Sequence, residues 1–181
     1  MNNTGPIRYG GLLAPMVLGL LLAGTVAQAE ILEVDCTNEF VTPSTPSSDF
    51  AVVGDVGEGV VRHEPTSLEW RRCPEGMDWN GSGCGGGASE VTWQEALEYA
   101  EDIDGWRLPN IKELNSIVEL CRTEPAINEK VFPDTGSSNF WSASPYAGDS
   151  DYAWYVHFHL GNDYYWSKSS GGVVRLVRDG Q

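Results

Sequence analysis

The spacing of hydrophobic and polar positions changes twice along the chain, and each change predicts a different kind of structure. Over residues 50–73 apolar positions come in short β-like groups. Ala51-Val52-Val53 and Gly59-Val60-Val61 predict two short strands around a Gly-Asp-Val-Gly turn. Leu68 and Trp70 then alternate with Glu69 and Arg71 at strand period. After this the period lengthens. Thr92 and Glu95 form a capping box, and Trp93, Ala96, Leu97, Tyr99 and Ala100 fall mainly on one helical face before Gly105 ends the segment. A second helix is predicted after Pro109. Asn110 is its N-cap, Glu113 stands three residues on, and Leu114, Ile117, Val118 and Cys121 form its buried stripe. The final third returns to a period of two. In residues 153–160, Trp154, Val156, Phe158 and Leu160 share one face and should be core, while Ala153, Tyr155, His157 and His159 share the other. Gly161-Asn162-Asp163 reads as a turn. Tyr164-Tyr165-Trp166 begins or flanks the next strand, and residues 173–178 form the last one. The predicted core comprises Trp93, Leu97, Trp106, Leu114, Trp141, Trp154, Val156 and Phe158.

The N-terminal residues follow another pattern. Arg8 lies in a polar leader, residues 12–26 are an apolar run broken by Pro15 and several glycines, and Ala27-Gln28-Ala29 matches a small-x-small cleavage site. Residues 1–29 are therefore expected to be a cleaved signal peptide, with no stable membrane span left behind, because the run is short and no basic stop-transfer cluster follows. No cysteine sits at the junction, which argues against a lipoprotein. Residues 30–49, with Thr42-Pro43-Ser44-Thr45-Pro46-Ser47-Ser48, read as an extended N-terminal arm. Residues 50–181 are room for one domain of ordinary size.

Charge and cysteines narrow the picture further. The formal net charge is −15. Removing the signal peptide takes Arg8 and no acid, which deepens it. So acidic a chain repels nucleic acid and anionic membrane surfaces and disfavours sulfated polysaccharides. Simple solubility is the plainer use of the same charge. Four cysteines, all beyond the signal, predict disulfides in an exported protein. Cys73 and Cys84 flank a Gly-rich loop containing Trp79 and are paired with each other, which leaves Cys36 with Cys121. By the chain-entropy argument the short loop contributes roughly 3 kcal/mol and the long one roughly 4 to 5 kcal/mol. A four-cysteine zinc site is the alternative, although no Cys-x-x-Cys pair supports it.

Over residues 50–181 an ordered set of phrases resembles the Lcl C-terminal domain family, the C-terminal domain of bacterial collagen-like adhesins. The phrases are Leu68-Glu69-Trp70, Cys73 and Cys84 around Trp79, Thr92-Trp93 with Ala96, Trp106-Arg107-Leu108-Pro109 and Glu113-Leu114. They continue with Phe132-Pro133, Trp141-Ser142, Ala153-Trp154 and Val174-Arg175-Leu176-Val177-Arg178. The resemblance implies a C-type lectin-like fold of the α+β class. Two helices would pack beside a twisted antiparallel sheet with long irregular loops, and the loops and one exposed sheet face would carry ligand. It also implies a bacterial protein that is secreted, periplasmic or on the cell surface. The same broad fold includes formylglycine-generating enzymes and target proteins of diversity-generating retroelements, so fold alone does not determine function.

Within that frame, the outward stripe Tyr155, His157 and His159 is the first candidate for contact. With Tyr152, Asn162, Asp163, Tyr164, Tyr165 and Trp166 it would make an aromatic and polar patch suited to a glycan or a protein ligand. Retroelement-diversified lectin-like proteins are similar in composition just before their terminal Val-Arg phrase. An ordinary wet sheet face or a homo-oligomer interface is the other reading. His157-x-His159 is also a metal-ligand spacing, with Asp149, Asp151 or Asp163 as a third group and His63 distant in sequence. Asp149-Ser150-Asp151 and Asp163 could take calcium. However, the Glu-Pro-Asn and Trp-Asn-Asp phrases of calcium-dependent sugar-binding lectins are absent, and Glu124-Pro125-Ala126 lacks the amide. No resident cofactor is expected. Arg107, Arg175 and Arg178 are expected to pair with carboxylates or pack their stems rather than bind anions. The adhesin relative is associated with sulfated glycosaminoglycans through a basic surface, and this chain's acidity departs from that. There is no Gly-x-Ser-x-Gly elbow, His-Glu-x-x-His helix or phosphate loop. The expectation is a non-catalytic recognition module. A structural or assembly domain and, further off, a metal-dependent enzyme are the alternatives.

Overall fold

A computed structural model describes Met1, residues 33–38 and residues 40–181. The expected signal peptide, Met1 apart, lies outside the described residues. In chain order the elements are β1 (Phe50–Val53), β2 (Val60–His63), β3 (Leu68–Arg71), β4 (Met77–Trp79), β5 (Cys84–Gly86) and β6 (Glu90–Val91). The helices α1 (Trp93–Glu101) and α2 (Ile111–Asn115) follow. The chain closes with β7 (Asn139–Pro145), β8 (Tyr152–His157), β9 (Asn162–Ser167), β10 (Gly172–Val173) and β11 (Val177–Asp179). The described residues are thus α+β, with two α-helices, mainly antiparallel sheets and the disulfides Cys36–Cys121 and Cys73–Cys84.

One sheet has the order β1-β2-β3-β11, a second the order β6-β10-β7-β8-β9, and β4-β5 is a separate hairpin. The predicted strands around the Gly-Asp-Val-Gly turn pair as β1 and β2, with Val52 opposite Val61. The main core lies between the two larger sheets and α2, and includes Val61, Trp70, Leu114, Phe132, Phe140, Val156 and Phe158. A second cluster packs α1 through Ala96 and Ala100 onto Trp141, Ala153, Val174 and Leu176. The five-stranded sheet is therefore covered on both faces near its centre. Tight packing there accounts for Gly172, where a Cβ would lie 2.7 Å from the Trp141 indole nitrogen.

Both helix caps form as predicted. The Thr92 hydroxyl accepts from Glu95 N–H while the Glu95 carboxylate accepts from Thr92 N–H, and Asn110 and Glu113 reciprocate in the same way. The second helix, however, is a single short element. Leu114, Ile117, Val118 and Cys121 are all buried, yet beyond Asn115 the chain leaves the helix. The Ser116 hydroxyl donates to Glu113 C=O at 2.7 Å, Glu119 N–H turns to Ala126 C=O, and Val118 bridges Ile127. The returning segment around Ala126 and Ile127 takes over the pairing at Val118 and Glu119, so the apolar stripe no longer needs a helix.

The last predicted strand, residues 173–178, is two strands in two sheets. Val173 pairs with β6 and β7, and Val177 pairs with β3. Arg175 sits at the crossing, 1% exposed. Its guanidinium donates to the carbonyls of Arg71 and Arg72 and, at 2.8 Å, to the Thr135 hydroxyl, and it lies over the Phe132 ring. Burial pushes its pKa down to about 9, which leaves it cationic at neutral pH. Arg107 pairs with Glu113 and Asp179, and Arg178 with Glu69, while Arg71 and Arg178 flank the Trp106 ring.

The arm is docked rather than free. Cys36 ties it to Cys121, and the fully buried Glu119 carboxylate accepts from Ser44 and Thr45 through both backbone N–H groups and both hydroxyls. The Asn128 amide adds bonds to Thr45 C=O and the Ser47 hydroxyl.

Candidate functional site

The candidate residues lie on the β8–β9 hairpin, at the free edge of the five-stranded sheet. The Phe140-Trp141-Ser142-Ala143-Ser144 phrase on β7 holds it in place. Phe140 enters the main core and Trp141 the second, with its indole N–H donating to Val91 C=O. The Ser142 hydroxyl donates to Trp154 C=O at 2.7 Å, and Ser144 accepts from the first amide of α2. At the other end, Gly161 adopts φ +76° in the connecting turn, and a Cβ there would meet Val118 at 2.5 Å.

The structure divides eight of the nine candidate residues between two faces, and places His159 in the turn. The register sets Tyr155 opposite Tyr164, His157 opposite Asn162 and Ala153 opposite Trp166, so these share one face. Trp154 is opposite Tyr165, Tyr152 opposite Ser167 and Val156 opposite Asp163, and these share the other. On the first face Trp166 lies 6.1 Å from Trp141 and 5.8 Å from Tyr155, centroid to centroid. On the second, Tyr165 stacks on Tyr146 at 4.0 Å and meets Tyr152 and Trp154 edge-on. Tyr164 and Tyr165 lie 5.6 Å apart and join the two groups.

The strict inside–outside parity expected for residues 153–160 is corrected by this packing. Ala153 is fully buried and Tyr155 packs on the second core, because α1 covers that face. Trp154 is half-buried in the Tyr146–Tyr165 group instead of in either core, and Leu160 is 51% exposed in the turn. Asn162 and Asp163 belong to β9, and the turn falls on residues 158–161. His159 lies in that turn, beyond the strand, yet its ring still stacks on His157 at 5.6 Å.

Exposure falls unevenly across the hairpin. Tyr164 is 61% exposed, Tyr165 39% and Trp166 36%. Burial first, and then the neighbouring Tyr164, raise the pKa of Tyr155; the Tyr165 pKa is raised chiefly by Tyr146. Two participants were not anticipated. Glu124 places a carboxylate oxygen 3.5 Å from His159 Nε2, because its own N–H bonds His159 C=O. Tyr146 follows an irregularity in the β7–β8 pairing between Trp141 and Pro145, which no local pattern announces. Asp149, Asp151 and Asp163 do not complete a site around the histidine pair. Among the described residues no group of three or more His, Cys, Asp or Glu is arranged to hold a metal ion. Among those residues, too, no helix is long and apolar enough to cross a membrane.

A comparison with curated proteins gave no match. The family comparison agrees with the framework just described, from the β2–β3 pair through the capped helices to the buried Arg175: residues 59–178 match the Lcl C-terminal domain, and the chain belongs to that family.

Proposed function

We propose that this is an exported, non-catalytic recognition module that binds a glycan or protein ligand through the β8–β9 hairpin. The observation that carries the reading is three consecutive aromatic residues, Tyr164, Tyr165 and Trp166, standing exposed on an edge strand. Exposed apolar area held rigidly by a packed sheet favours contact with a partner at little entropic cost. The family's association with adhesins, the paired cysteines and the signal-like N-terminus support a place outside the cytoplasm, at the bacterial surface or in the periplasm. A C-type lectin-like classification is consistent with two helices beside an antiparallel sheet and a loop-rich C-terminal half. The acidic charge argues against nucleic acid, anionic membranes and sulfated glycans as partners. Diversification by a retroelement would account for the hairpin's composition. A template repeat beside a reverse transcriptase gene, differing at adenines, would support that origin, and a neighbourhood lacking both would reject it.

The test compares wild type with Tyr164→Ala/His157→Ala on a glycan array and against displayed random peptides. Both side chains reach solvent, so the melting temperature should stay within about 2 °C while binding falls about tenfold or more. Unchanged binding by the variant would overturn the reading. An assembly role would bury the same hairpin between subunits, and a concentration-independent monomer in scattering would count against it.

A further inference from the structure

We infer that the ligand is an extended polypeptide segment bearing Lys or Arg at alternate positions, which adds to β9 as a further strand. This rests on the reading of the hairpin as a recognition surface and specifies what that surface takes. The first observation concerns the backbone. Among the described residues β9 pairs only with β8. Lys168 N–H donates to Asp151 C=O at 2.8 Å, which sets the phase of the ladder. In that phase the N–H and C=O groups of Asn162, Tyr164 and Trp166 face β8, and those of Asp163 and Tyr165 face outward. Among the described residues the outward groups have no backbone partner. Their spacing fits another polypeptide in β conformation, whose amides repeat at the rise of a strand.

The second observation is charge. Exposed Asp163 lies on β9 itself, and exposed Asp149 and Asp151 lie in the turn at its far end. The hairpin's one lysine, Lys168, is occupied, since its Nζ donates to Ser150 C=O and sits 4.2 Å from the Trp93 ring centroid. A cationic side chain crossing the strand would meet aromatic faces flanked by carboxylates, a setting favourable to cation–π contact. A second copy of this acidic chain would bring the same carboxylates against each other. The third observation is room. Beyond Asp163 a groove of about 350 Å³ continues between Gly161, Ser44, Asn115 and Leu120. Leu120 is 68% exposed there, an apolar contact for the end of the segment.

The test uses the whole mature protein and displayed random eight-residue peptides as the probe. Selected peptides should be enriched in Lys and Arg over Asp and Glu by about tenfold, and should lose about tenfold in affinity between low and physiological salt. A selected peptide, remade with alternate backbone amides methylated on its pairing edge, keeps its charge but cannot complete the ladder, so its binding should vanish. In the wild-type complex, amide exchange should slow at Asp163 and Tyr165. Equal binding by the methylated peptide, selection of acidic or uncharged peptides, or selection of none would overturn the inference. So would self-association that occludes β9 at the working concentration. If glycans bind and the Tyr164→Ala/His157→Ala variant loses them while no peptide is selected, strand addition fails and the hairpin reading stands. If the variant binds everything that wild type does, the hairpin reading fails as well.

Discussion

Glu119 and Arg175 are both buried, and each joins stretches of backbone that are far apart in the chain. Glu119 accepts five hydrogen bonds, from Ser44, Thr45 and Cys121. Burial alone would raise its pKa, but together the bonds from Cys121, Ser44 and Thr45 outweigh it and hold the pKa below the ordinary 4.5. Because the native value is lowered, the carboxylate's contribution is complete above pH 4.5 and is lost as pH falls through the native value. Glu119→Gln keeps the shape but turns a donor toward donors, and should cost about 2 kcal/mol in urea unfolding. It should also speed amide exchange at Ser44 and Thr45 and flatten the acid limb of stability; an unchanged acid limb would show that the carboxylate does not anchor the arm. Neither role was legible in the sequence. Glu119 falls within the span of the second predicted helix but off its apolar stripe, with nothing to mark it as buried. Arg175 was expected to pack or pair, and it does the former, against backbone carbonyls instead of a carboxylate.

At the scale of elements, the disulfides divide the stabilising work by loop length. Cys36 and Cys121 are 85 residues apart, and Cys73 and Cys84 are 11 apart. Replacing Cys36 and Cys121 by Ser should cost about 4 to 5 kcal/mol, against about 3 kcal/mol for Cys73 and Cys84. Urea titration of the two double variants reads this difference directly. A smaller cost for the long loop would mean that the unfolded ensemble retains structure that already keeps Cys36 near Cys121. Helix starts and both disulfide pairings were legible, because a cap is written within four residues and four cysteines leave few pairings. The length of α2 was not, because Ala126 takes the bond that a longer helix would have made at Glu119. The last segment likewise read as one strand, since Val173 and Val177 satisfy the same alternation whether they enter one sheet or two.

For the whole molecule, charge is the dominant long-range term. Most bases are already engaged: Arg62, Arg107, Arg122, Lys130 and Arg178 pair with carboxylates, and Arg175 is buried. The net charge of −15 therefore sits on a surface rich in unpaired acids. Added salt screens that self-repulsion over a Debye length of about 10 Å at 0.1 M, while the mostly exposed ion pairs have little to lose. The melting temperature at neutral pH should rise by a few degrees between low and roughly 0.5 M sodium chloride, on the order of 1 kcal/mol of stability. Calorimetry checks this, and a fall would mean that the ion pairs contribute more than the repulsion costs.

By itself the sequence determined the class of the domain, the caps of both helices, the disulfides, the stripe of core residues through Leu114, Val156 and Phe158, and the hairpin that carries the aromatic residues. These are written in short-range periods, capping residues and cysteine count, and each is legible within a few residues or by simple pairing. Tertiary structure alone decided which face each aromatic residue of the hairpin takes, where Tyr146 and Glu124 join them, and that β9 is an edge. A period of two identifies a strand with two faces, but which face is covered depends on the layers packed on each side. With α1 on one side and the main core on the other, Ala153 and Val156 are both buried. The exposed residues are those that lie past the edges of both layers.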